Sequence, residues 1–213
     1  MRTWALCPSG TDPTPPALGG RLCLAFVNSV LWRRSRAPID LIGDYPALAD
    51  YLLRVGLLDD AERDRLTAAA AARPAKARGV HAEAIALRES LFRLLSTVAA
   101  GAAPAEEDLR NLNGTLQDGL ATLRLAAPDG GGLTAGWPET GRLEWPLWEV
   151  AASTSALLLG PDLVRLKQCP GEACGWLFVD RSRNLSRRWC ASTMCGNRDR
   201  ARRHYHRTHG HVS

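Results

Sequence analysis

Four cysteines near one end constrain this chain more than any other feature. Cys169 and Cys174 are separated by Pro-Gly-Glu-Ala, Cys190 and Cys195 by Ala-Ser-Thr-Met, and fifteen residues lie between the pairs. Two cysteines so close in sequence can both face one ion from a tight turn, and zinc takes four such soft ligands in a tetrahedron. Pro170 and Gly171 suit the first turn, and Gly196 suits the second. In a reducing cytosol a cluster of this kind reads as a metal site rather than two disulfides. Cys169, Cys174, Cys190 and Cys195 are therefore expected to hold one structural Zn²⁺. Four thiolates leave no coordination position open for water or substrate. A module this small buries little core of its own, so the metal is expected to supply much of its folding free energy, on the order of 10 kcal/mol.

The charge is as uneven as the cysteines. The whole chain carries a net +5 over 213 residues. Residues 165–213 hold 11 Lys+Arg against Glu172, Asp180 and Asp199, a net +8, which leaves −3 on the rest. A mildly acidic body with a strongly basic tail is the electrostatic footprint of a polyanion partner. The cations are almost all arginine, which suits bidentate contact with phosphate or guanine. Arg183, Arg187 and Arg188 lie between the cysteine pairs. Arg198, Arg200, Arg202, Arg203 and Arg207 lie on an expected helix that Asn197 would cap. At about 100° per residue, Ala201, Tyr205 and Thr208 share the side expected to pack on the metal core, and Arg200, Arg203 and Arg207 share nearly the opposite side. These eight arginines are the candidate nucleic-acid contacts. The plainer alternative is a solvated charged face. His204, His206, His209 and His211 read as exposed residues at a fraying helix end, with a second metal site as the alternative, and His81 reads as structural.

No apolar run approaches the roughly 18–20 residues needed to span a membrane. Met1 to Gly20 reads as a polar, Pro/Gly-rich lead-in without a signal-peptide core. A cytoplasmic location is expected. Residues 21–31 form a short apolar run and read as a buried strand. Residues 32–43 read as a connection holding a basic cluster, Arg33, Arg34 and Arg36. Apolar spacing predicts helices from Tyr45 to Val55, from Asp59 or Asp60 to about Ala72, from about Val80 to Ala100, from Pro104 to about Asn113, and from Pro146 to Leu159. Between the last two, Ala121–Leu125, Leu133–Trp137 and Gly141–Trp145 read as a small antiparallel sheet turning at Asp129-Gly-Gly-Gly.

At Cys195-Gly-Asn-Arg198 the sequence resembles a known family. Together with Gly175-Trp-Leu-Phe, Asp180, Ser182-Arg-Asn184, Ser186-Arg-Arg-Trp-Cys190 and Met194, these residues are similar to the CGNR zinc finger. Gly20-Arg-Leu-Cys-Leu-Ala-Phe-Val-Asn28 resembles the opening of the ABATE domain that precedes that finger. Ala25 departs from the pattern, standing where the resemblance implies an acidic residue. The resemblance implies an ABATE-type α/β (α+β) domain over residues 1–160, with 1–19 as a flexible lead-in. It implies a treble-clef-like, four-cysteine zinc finger over residues 161–213. It also implies a bacterial transcription regulator induced by stress.

The expected function is thus binding of double-stranded DNA through the finger, with an N-terminal sensor or dimerisation domain. A small-molecule effector would enter near Asn28 and Arg88, polar groups close to the expected core; the alternative is that both are ordinary structural hydrogen-bonders. A single finger holds DNA weakly, which favours a homodimer. The competing function is an RNA- or ribosome-associated zinc protein, with Trp176, Trp189 and Tyr205 stacking unpaired bases. No phosphate-cradling glycine loop, His-Glu-x-x-His or Gly-x-Ser-x-Gly is present, so the chain is not expected to be an enzyme.

Overall fold

The computed structural model describes residues 19–127, 132–137 and 141–209. The lead-in to residue 18, the Asp129–Gly131 part of the turn and His211 lie outside the described residues, as do the side chains of His206 and His209.

The apolar run that reads as a strand is a helix. Leu22–Val27 form α1, and every one of its residues is buried. An apolar run this short has no periodicity to separate a buried strand from a buried helix. The surroundings decide. Helices α4 (Pro74–Ala99) and α6 (Trp145–Leu159) pack on α1, and a buried segment flanked by helices must satisfy its own backbone groups. Val30–Leu31 then form β1, paired antiparallel with β2 (Ile39–Asp40).

The remaining helices are those the sequence signals, although α4 begins earlier, and the helix after it ends later, than expected. Asp44 caps α2 (Tyr45–Arg54) through the Ala47 N–H at 2.8 Å. Asp59 and Glu62 form a reciprocal capping box on α3 (Asp60–Ala72). Pro74 ends one helix and opens the next, because the first helical position needs no N–H. It therefore extends α4 back from the expected start near Val80. Helix α5 (Glu106–Thr122) runs past Asn113 through Gly119. The bare Cα is required there: a Cβ on Gly119 would lie 3.0 Å from the Trp148 Cβ, and Trp137 Nε1 donates to the Gly119 carbonyl at 2.6 Å.

Strands β3 (Arg124–Ala126) and β4 (Thr134–Gly136) form the expected hairpin. The third expected strand, Gly141–Trp145, is not one. These residues turn into α6, with Leu143 buried and Pro146 in the first turn of the helix. Strands β5 (Leu166–Gln168) and β6 (Leu177–Val179) pair antiparallel and carry the first cysteine pair between them. Helix α7 (Asn197–His209) ends the described chain. Three two-stranded antiparallel sheets on a helical body make this an α+β architecture. No helix among the described residues is long and apolar enough to cross a membrane.

Two cores coexist. The larger joins α1 to α6, and it also takes in Leu166, Leu177 and Val179 of the last hairpin. The smaller holds the four tail cysteines with Phe178, ringed by Trp176, Trp189 and Ala191. Alternate residues of β6 thus face opposite cores, as a strand's period of two requires.

Candidate zinc centre and its basic surface

Each cysteine is delivered by a local turn. The Cys174 N–H closes on the Gly171 carbonyl at 2.9 Å, and the Cys169 N–H on the Trp176 carbonyl at 2.7 Å. Residues Ser192–Gly196 form a wide helical turn of the π type, entered where the Gly196 N–H reaches the Ala191 carbonyl at 3.2 Å. Such single wide turns recur at functional sites. Together they bring four buried Sγ atoms within 4.8 Å of one another.

The donor set fits zinc. Cys174–Cys190 and Cys190–Cys195 sulfurs are 3.6 and 3.7 Å apart. A tetrahedron with Zn–S bonds of about 2.3 Å has edges of about 3.8 Å, whereas disulfide sulfurs stand about 2.0 Å apart. All four are free thiols. Crowding pulls their acidities apart: hydrogen bonds from Cys174 and Cys190 hold the Cys169 thiol far below its usual range, and giving such a bond pushes Cys174 up to about 12. Four thiolates can coexist in this volume only around a counter-charge, which a divalent cation supplies. The four cysteines are the site of one structural zinc.

Asp180 organises the loop between the pairs. It is fully buried at the end of β6. Its Oδ1 accepts from the Ser182 N–H (2.9 Å) and hydroxyl (2.6 Å), and its Oδ2 from Lys167 Nζ (2.6 Å) and the Arg187 N–H (2.9 Å). Burial works against ionisation of its carboxyl, but Lys167 and Ser182 outweigh it and hold the carboxyl well below the usual carboxylate range. The organising role escapes a sequence reading, although an acid at a strand end followed by Ser at i+2 is a turn signal.

The structure sorts the arginines. Arg187 is committed to the finger itself: its guanidinium donates to the Trp189 carbonyl at 3.0 Å and to the Cys190 carbonyl, and stacks 4.6 Å from the Phe178 ring centroid. Arg188 is exposed beside Trp189, and Arg183 is exposed at the loop tip. On α7, Arg200 bonds the Asn197 side chain, Arg203 pairs with Asp199 at 3.0 Å, and Arg202 pairs with Glu172 at 2.6 Å. Arg198 lies 3.8 Å over the Trp32 ring of the body, and Arg207 is exposed.

Two local expectations for α7 fail. Asn197 is not the N-cap; it is already helical, and its amide donates to the Thr193 carbonyl at 2.8 Å. The preceding wide turn runs straight into α7 and removes the need for a cap. Nor do Ala201, Tyr205 and Thr208 pack on the zinc core. All three are exposed, Tyr205 by 59%. The helix meets the body through Arg198 at Trp32 and the finger through Arg202 at Glu172, and Arg200, Arg203 and Arg207 are exposed.

Asn28 and Arg88 are both buried and both engaged with the chain. Asn28 accepts from the Leu177 N–H at 3.0 Å and donates to the Leu177 carbonyl at 2.8 Å. Arg88 makes a two-pronged pair with Asp40 at 2.7 and 2.8 Å, and also reaches Ser29 and Glu89. Ala25 leaves no carboxylate in α1; its carbonyl accepts from the Tyr51 hydroxyl at 2.6 Å. His81 meets the Ile42 carbonyl at 2.6 Å. A cavity of about 590 Å³ opens elsewhere, between α4, α5 and α6, lined by Lys76, Glu83, Asn111, Arg142 and Trp148 among others.

A helical body followed by a four-cysteine site makes this a zinc-finger protein. The chain belongs to the ABATE family, described as "Putative stress-induced transcription regulator", whose model matches residues 20–161. The CGNR zinc finger model matches residues 165–208. Comparison with curated proteins finds no match.

Proposed function

We propose that this regulator acts by binding double-stranded DNA through its zinc finger, without catalysing a reaction. The observation that carries this is the rigid presentation of cations: the zinc core and Asp180 fix the loop bearing Arg183 and Arg188, and α7 projects Arg200, Arg203 and Arg207 into solvent. Loose basic tails need no such scaffold. An exposed helix next to a zinc core has the form of a groove-reading element. Helix α7 reads base edges, the loop holds phosphates, and the body supplies the input or the dimer contact. An effector, on this reading, is a small molecule taken in the cleft between α4, α5 and α6, to be sought by thermal-shift screening of the full chain. The test of the main reading is selection of bound duplexes from a random pool, followed by titration across a salt series. A parent that selects no sequence and shows no salt-dependent affinity for duplex ends the proposal.

One observation favours a second reading. Tyr205 is 59% exposed on a cationic helix, as an aromatic platform for unpaired bases would be. Trp176 is not available for that role, because its Nε1 donates to the Val30 carbonyl of the body at 2.9 Å. Tighter binding of single strands or structured RNA than of duplex, at one salt concentration, would put RNA first.

A further inference from the structure

The body contributes a basic cluster that the finger does not explain. Of its three arginines, Arg33 is accounted for by Glu89, the Val27 carbonyl at 3.1 Å and the Phe92 ring at 4.2 Å. Arg34 and Arg36 are exposed, and neither has an acidic partner among the described residues. They sit on a tight turn, in which the Ser35 N–H meets the Trp32 carbonyl at 2.7 Å.

This turn is fastened to the zinc knuckle. The Arg34 N–H donates to the Ala173 carbonyl at 3.2 Å, and its guanidinium reaches Gln168 at 2.8 Å. The Arg34 side chain lies across Gly175, whose φ is +76° and where a Cβ would come 2.8 Å from the Arg34 Nε. Trp176 donates to Val30 from the other side. Trp32 itself has φ +53°, a left-handed backbone that is costly for a bulky side chain and persists only where surroundings impose it. What it achieves is to set the indole under Arg198 in the first turn of α7.

We infer that the Trp32–Arg36 turn of the body is part of the duplex-binding surface, with Trp32 setting the first turn of α7 and Arg34 and Arg36 meeting phosphates beside it. This rests on the DNA reading above. The chemistry recognised is the phosphate backbone of a duplex, which offers one negative charge per about 1.7 Å of axis. A single zinc module covers only about 600–1,000 Å² of such a partner. Two guanidinium groups with no acidic partner among the described residues, on a turn tied to the knuckle through Arg34, extend that cover without a second finger. No sequence preference follows from them, because phosphate contacts position and do not specify.

The experiment uses the full zinc-loaded chain, a random-sequence duplex and a potassium chloride series. Three variants are compared with the parent: Arg34→Ala/Arg36→Ala, Arg36→Ala alone, and Arg78→Ala. Arg78 is an exposed control toward the opposite end of α4, about 27 Å along the helix from Ser96, which touches Gln168 of β5. Parental zinc content shows that the knuckle is intact; if the double variant loses zinc, Arg36→Ala decides. The salt slope is expected to flatten by about two units in the double variant and one in Arg36→Ala, with Arg78→Ala unchanged. An unaltered slope in the zinc-loaded variants overturns the inference while leaving the DNA reading standing. Equal flattening by Arg78→Ala also overturns it, since net charge alone would then account for the effect. A parent with no duplex affinity brings down the DNA reading itself, and this inference with it.

Discussion

The Asn28 amide brackets Leu177 as a neighbouring strand would, accepting from its N–H at 3.0 Å and donating to its carbonyl at 2.8 Å. One side chain at the end of α1 thereby pairs with β6 at Leu177, while the Val179 N–H meets the Gly19 carbonyl at 3.1 Å. Asn28→Ala would leave two buried backbone groups without partners, each costing about 1–3 kcal/mol. The expected result is a loss of about 2–6 kcal/mol in denaturant unfolding, with zinc still bound at neutral pH. A variant as stable as the parent would mean that water replaces the amide.

The zinc prediction follows from the sulfur geometry. Elemental analysis should find close to one zinc per chain, and Cys190→Ser should abolish it. Order beyond Val179 should be lost, seen as fast amide exchange from Arg181 to His209. Because Leu177 and Val179 belong to the larger core, the melting temperature of the body should fall as well. Zinc retained by Cys190→Ser would refute the assigned ligand set.

Arg187 and Arg188 are neighbours with opposite expected behaviour. The Arg187 guanidinium is bound to carbonyls at the zinc ligand Cys190, so Arg187→Ala should weaken zinc retention and lower the melting temperature. Arg188 is exposed, so Arg188→Ala should leave melting unchanged and flatten the salt dependence of duplex binding by about one unit. Identical phenotypes for the two would contradict this division.

Replacing α7 arginines tests the reading element. Arg200→Ala/Arg203→Ala should cost about 1–3 kcal/mol per base contact on a selected site and little on a scrambled one. Equal loss on both duplexes would reassign these residues to phosphate. No loss on either would favour a protein partner.

The Asp40–Arg88 pair gives a pH-dependent prediction. Burial works to raise the Asp40 pKa, but Arg88 outweighs it and holds the carboxyl below its usual value. A depressed folded value means that its stabilisation is complete above the unfolded value of about 3.9 and is lost as pH falls further. Asp40→Asn should therefore destabilise by about 1–3 kcal/mol near neutrality, a range discounted for the half-exposed carboxylate. The gap from the parent should close as pH drops below about 4. A gap independent of pH would exclude the ion pair as its source.

How much of this was legible beforehand depended on the range of the interactions. The zinc ligands were readable because two pairs at fixed spacing are a local signal. Helix α2 was readable from its apolar spacing, and α3 from an acid at Asp59 that caps it within three residues. Helix α1 was not, since its identity depends on α4 and α6, which lie far along the chain. The capping role given to Asn197 failed because a wide turn, invisible to residue propensities, already supplied the helical entry. The roles of Trp32 and Arg34 were hidden for a similar reason: the basic cluster was visible, but its partners, Arg198 and Ala173, stand at the far end of the chain in the finger.

The bracket between Asn28 and Leu177 spans 149 residues. During synthesis α1 must therefore wait, with one side uncovered, until the segment around Leu177 has emerged. Contacts of such sequence separation form late and slowly. The hairpin that covers α1 also supplies Cys169 and Cys174, so the last step of assembly coincides with metal capture. Without zinc the hairpin would hold its seat on α1 less firmly, so the apolar α1 surface would open to proteases more often, and the lifetime of the chain would track the metal supply.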